Sequence, residues 1–153
     1  MRMLFLFLTF MTPGGIAHAD PAHPGPKDHC PVCGMFVAKY DRWLAQVVLP
    51  DGRHRFFDGP KDLFRYILEP KKYDHDVDKN QIREVYVTDY YTTQTVPAEK
   101  ALFVVGSDVM GPMGPELVPV LGQEKAETFR KDHRGKRILS FHEVTLLDLP
   151  GMQ

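Results

Sequence analysis

The residues best suited to chemistry lie in one short run, His29-Cys30-Pro31-Val32-Cys33-Gly34-Met35. Two thiols three positions apart, with a thioether two further on, put three sulfurs on one tight turn. Thiolate and thioether are soft, polarisable donors, and a site rich in them selects Cu(I) over harder divalent ions. A second sulfur-bearing segment is Met110-Gly111-Pro112-Met113-Gly114-Pro115. Its glycines and prolines predict a shaped loop without regular strand pairing, and its methionines sit where no apolar period would bury them. Both segments also have plainer readings. Spacing alone leaves Cys-x-x-Cys open to a structural disulfide or half of a zinc knuckle, and leaves Met110 and Met113 open to gap filling against a sheet.

Several of these alternatives can be narrowed. A closed zinc site needs four ligands, but there is no second cysteine pair, and His54, His75, His133 and His142 show none of the usual His-x₃₋₅-His spacing. Covalent haem would need a histidine directly after Cys33, where Gly34 stands. A thioredoxin-like dithiol is the stronger rival, with Pro31 inside the pair, although that motif belongs between a strand and a helix N-terminus. Here a strand is predicted to follow. The histidines of the arm, His23 and His29, are auxiliary candidates. No Gly-x-Ser-x-Gly, phosphate-loop, dinucleotide or His-Glu-x-x-His motif is present, so the sequence offers no catalytic residues and no cofactor-binding motif, and an enzyme is not expected.

Composition sets the bounds. Twenty acidic residues against 19 Lys plus Arg give a formal charge of −1, which provides no basic stripe for nucleic acid. With 43% apolar residues in 153, the chain can build one domain or two very small ones. Arg2, the apolar run Leu4–Met11 and Ala17-His18-Ala19 read as a secretory signal peptide over residues 1–19. The run is shorter than the roughly 20 residues needed to span a bilayer. Export places Cys30 and Cys33 where disulfides can form. No lipid-acceptor cysteine is evident, because Cys30 follows Asp28-His29 rather than the apolar run.

The elements that must position these sulfurs follow in order. Residues 20–29, with three prolines, read as a flexible arm outside any core. The first unit, residues 30–70, carries Cys-x-x-Cys-Gly-Met. It contains strands Met35–Tyr40 and Trp43–Leu49 about an Asp41-Arg42 turn, and a short strand His54–Phe57. A helix follows, with Asp58 as N-cap, Pro60 in its first turn, and Leu63, Phe64, Ile67 and Leu68 at helical spacing. Residues 71–82 are a polar linker. The second unit, residues 83–147, carries the Met-x-x-Met loop. Strands are predicted at Glu84–Tyr90, Ala101–Val105 and Glu116–Leu121, a helix at Gln123–Arg134 with Gly135 at C′, and a closing strand at Arg137–Val144. Strand runs each followed by a helix predict an α+β fold with antiparallel sheets.

Taken together, Cys33-Gly34-Met35, Phe57-Asp58-Gly59 opening a helix with Phe64-Arg65-Tyr66, Val87-Thr88-Asp89-Tyr90, Ala101 through Ser107 and Pro112-Met113-Gly114 resemble the NosL family, accessory proteins of nitrous-oxide reductase. The resemblance runs from about Cys30 to Val144. It implies a periplasmic Cu(I)-binding chaperone of two small, similar ββαβ-type units, acting in denitrification with a copper-enzyme client and its maturation or transport machinery. It further implies metal ligation by Cys33, Met35 and Met113. Cys30 is a thiol that some relatives lack and a candidate fourth donor, with His29 and Met110 behind it. Many family members are lipoproteins, from which this sequence departs. A metal-bridged dimer stays open, as does the alternative of an exported thiol–disulfide oxidoreductase using Cys30 and Cys33.

Overall fold

The computed structural model describes residues 20–151, so the expected signal peptide lies outside the described residues. Its first hairpin joins β1 (Ala45–Val48) to β2 (His54–Phe57), with Ala45 opposite Phe57 and Val48 opposite His54. All four residues of β1 are buried, as suits a strand covered on both faces. From β2 the chain enters α1 (Pro60–Leu68), a short α2 (Pro70–Tyr73) and a polar connector, then returns as β3 (Glu84–Thr88) on the other edge of β1. A further strand, β4 (Thr95–Pro97), completes an antiparallel sheet of order β2-β1-β3-β4.

The second unit repeats this path. It runs through β5 (Ala101–Val105), a small hairpin of β6 (Met110–Gly111) and β7 (Gly114–Pro115), β8 (Val118–Leu121), α3 (Gln123–Asp132) and β9 (Arg137–Ser140). Its sheet has the order β8-β5-β9. In both units the first strand is central, the second and third flank it antiparallel, and a helix connects the flanking pair. The α+β class with two ββαβ units is therefore what the chain adopts, with a shifted seam. Glu84–Thr88, expected to open the second unit, closes the first sheet, and residues 71–82 lie inside the first unit. Without β3 the backbone groups on that edge of the buried β1 would lack partners.

Helix α1 lies between the two units. On one side Tyr66 packs against Phe57 of β2 with ring centroids 5.2 Å apart, and on the other Phe64 meets Phe103 of β5 edge-on at 4.9 Å. One core cluster consequently draws on both units, including Val47, Phe57, Phe64, Phe103 and Leu139. Helix α3 covers the other face of the second sheet, where Ala126 and Phe129 pack with Val104, Val118 and Val120.

Three local expectations are corrected. The hairpin predicted over Met35–Leu49 does not form. Val37–Lys39 and Asp41–Trp43 are 3₁₀ turns, because Met35 O accepts from Cys30 N (2.8 Å) and Val37 N donates to Asp28 O (3.1 Å). Residues 20–29 are docked rather than free. Ala22 exchanges hydrogen bonds of 3.0 and 3.1 Å with the buried Gln46 amide and packs on the core, while His29 forms a bridge with Phe36. The methionine loop, expected to lack pairing, is the β6–β7 hairpin, with Met110 opposite Pro115 and Gly111 opposite Gly114.

Candidate metal centre

The Cys30–Met35 turn is closed by two backbone hydrogen bonds, Gly34 N to Cys30 O at 2.9 Å and Cys30 N to Met35 O. Gly34 sits at φ +78°, a conformation a side chain would disfavour. Cys30 is buried and Cys33 half-buried, and both are free thiols. The turn faces the start of α1. Gly59, not the expected Asp58, is the N-cap residue, followed by Pro60 in the first turn. Asp58 stands one position earlier, and its Oδ1 accepts from Cys33 Sγ at 3.2 Å. Asp62, one helical turn on, accepts from Cys30 Sγ at 3.5 Å and from Arg65 at 3.0 Å. One ligand atom from each of Cys30, Cys33, Asp58 and Asp62 lies within 4.8 Å of the others, a grouping able to hold a metal ion.

These thiols are held protonated. Burial is the main cause, raising Cys33 to about 12 and Cys30 further still. The neighbouring carboxylates push the same way, and backbone hydrogen bonds oppose them. A thiol in this setting binds metal by giving up its proton.

The methionine hairpin reaches the same helix start. Lys61, in the first turn of α1, donates from Nζ to Met113 O at 2.8 Å and Pro115 O at 3.1 Å. Glu116 follows β7 and turns back, its Oε1 accepting from Lys61 N at 2.5 Å and Leu117 N at 2.9 Å. Burial pushes the Glu116 carboxyl up to about 8, against the pull of those amides and the Lys61 charge. Met110 and Met113 are 58% and 47% exposed.

Of the predicted site residues, the structure brings Cys30 and Cys33 together, with Met35 half-buried two positions on. Met113 and Met110 are fastened through their hairpin to residues 58–62, the stretch that also faces the cysteines. His29 is exposed, its ring 4.6 Å from that of Phe36. Sequence reasoning did not select Asp58, Asp62, Lys61 or Glu116. The first two carried a legible signal, since carboxylates four apart across a helix start lie on one side of it.

Two alike ββαβ units and a thiol–carboxylate cluster at a buried helix start define a small α+β protein equipped to hold a metal ion. The chain belongs to the NosL family, whose sequence profile matches residues 21–147. It is similar to the crystal structure of the copper chaperone NosL from Shewanella denitrificans, at 26% identity and TM-score 0.73, covering 86% of this chain and 99% of that one. It is also similar to the solution structure of apo-NosL from Achromobacter cycloclastes, at 26% identity and TM-score 0.51, covering 69% and 87% respectively. No curated protein matches the sequence.

Proposed function

We propose that the protein is an exported, periplasmic copper chaperone that carries one Cu(I) and passes it by ligand exchange to a copper enzyme. Nitrous-oxide reductase is the client to which the family resemblance points. The observation carrying this reading is the convergence of both sulfur segments on residues 58–62, through Asp58 with Cys33 and Lys61 with the Met113 carbonyl. The described copper chaperone from Shewanella supports copper as the cargo.

Cys33 supplies the thiolate, Met35 and Met113 the thioethers, and Cys30 a further sulfur; His29 and Met110 are the remaining donors within the same segments. The Cys33 proton leaves as the metal arrives, with Asp58 Oδ1 the acceptor in reach. Thioethers are weak ligands, so an incoming donor from the client displaces them first. The metal then bridges the two proteins before the thiolate lets go, without change of oxidation state. The dithiol-exchange alternative needs a thiol of lowered proton affinity, and burial acts on both thiols in the opposite direction.

The test is an anaerobic Cu(I) titration of the reduced, processed chain against a competing chelator, beside Cys33→Ala and Met113→Ala. One tight equivalent weakened by both substitutions is expected. Binding that ignores Met113 would confine the site to the cysteine turn, and no binding would remove the copper reading.

A further inference from the structure

We propose that Lys61 and Glu116, neither of them a metal ligand, form a clamp that seats the methionine hairpin on α1 and so determines whether the Met113 thioether reaches the metal held by Cys33. The inference rests on the copper-carrier reading and names the positioning residues of that site.

The hairpin cannot position itself. Its strands are two residues each, with two registered pairs, and isolated hairpins of even greater length are marginal in water. Its methionines point largely into solvent, so packing of those side chains does not hold it either. Its anchor is instead a lysine only 5% exposed, an unusual burial for that residue type. The Lys61 ammonium is spent on two carbonyls, that of Met113 at the hairpin tip and that of Pro115 in β7, which ties the tip and the second strand to α1. The Lys61 main chain is held as well, by the Glu116 carboxyl group. Moving the hairpin away from α1 would break charge-assisted hydrogen bonds and strand two buried ionisable groups.

Glycines on both sides mark the Glu116 carboxyl as fitted. A Cβ on Gly59 would run into Glu116 Oε2, and one on Gly111 would lie 3.0 Å from Glu116 Cγ. One glycine belongs to the α1 start and the other to the hairpin, so the carboxyl is the spacer between the two segments.

The test measures Cu(I) affinity of the processed chain by anaerobic chelator competition, with Lys61→Leu made in the wild-type and Met113→Ala backgrounds. Substituting residues that orient metal ligands typically weakens binding about 10–100-fold. A loss in that range is expected in the wild-type background and almost none once Met113 is gone. Methyl-¹³C methionine spectra give a readout that a merely structural role would not move. The Met113 methyl should shift on Cu(I) addition in wild type and stay put in Lys61→Leu, while the Met35 methyl shifts in both.

Wild-type affinity in folded Lys61→Leu, or an equal loss in both backgrounds, would overturn the clamp. Should Lys61→Leu not fold, Gly111→Ala keeps every charged group and only crowds Glu116. It should give a smaller, still Met113-dependent loss, and wild-type affinity there would overturn the proposal. A wild-type chain that binds no Cu(I) would instead defeat the copper reading itself.

Discussion

Copper affinity is expected to keep rising with pH beyond the point at which an ordinary thiol levels off. Burial holds the Cys33 thiol up to about 12 in the metal-free protein, whereas a free cysteine titrates at about 8.5. Ligation displaces the proton, so below the thiol's own pKa each unit of falling pH weakens binding about tenfold. Between about pH 6.5 and about pH 9.5, a thiol at about 12 gives a rise of about a thousandfold, while one at about 8.5 flattens after about a hundredfold. Cys30 is held protonated more firmly still. If its thiolate also binds the metal, the slope becomes about a hundredfold per unit. The assay is chelator competition across this range at fixed ionic strength, with the chelator's own protonation accounted for. A plateau above about pH 8.5 would refute the effect assigned to burial, and a profile without slope would refute thiolate ligation altogether.

The core and the buried acid give two further tests. Phe64→Ala removes the aromatic contact between the units and should cost about 3–5 kcal/mol in urea unfolding while keeping a single transition. A loss below about 1 kcal/mol, or two separated transitions, would mean that α1 does not join the units energetically. Glu116 binds its proton more tightly folded, at about 8, than at its ordinary 4.5. Stability should therefore be highest below about pH 4.5 on this account and decline as pH rises to about 8. Glu116→Gln should abolish that decline, and identical stability profiles for wild type and variant would count against burial of an ionisable carboxyl.

The elements read best from sequence are those whose own periodicity decides them. Helix α1 shows Leu63, Phe64 and Ile67 at helical spacing, and β5 is an apolar run bounded by Lys100 and Gly106. What stayed illegible depends on distant partners. Nothing within Glu84–Thr88 says which sheet it joins, and the Met35–Tyr40 pattern suits a strand until residues 28–30 take the backbone hydrogen bonds of Met35 and Val37. Gly135 teaches a similar lesson. It was expected at the left-handed position after α3, but Arg134 takes φ +57° there. Glycine is needed one residue later, where a Cβ would meet Val104 Cγ1 at 2.5 Å. At the site, cysteine and methionine announce themselves by chemistry and rarity. Lys61 and Glu116 do not, and Asp58 and Asp62 do so only through their four-residue spacing, because charged residues are common on surfaces and only the fold shows that these four are buried.

That burial explains why the site lies on one helix of a repeated topology and not on the other. Helix α3 covers an outer face of its sheet, and its first-turn residues Gln123, Glu124 and Lys125 are solvated. Helix α1 is enclosed between two units, so Lys61 and Asp62 in its first turn, with Asp58 just ahead of it, have little water to satisfy them. Buried polar groups must find partners within the protein. Those partners are the thiols of the cysteine turn on one side and the carbonyls of the methionine hairpin on the other. Enclosing α1 thus converts a need for hydrogen bonds into the convergence of two sulfur-bearing segments more than 70 residues apart in the chain.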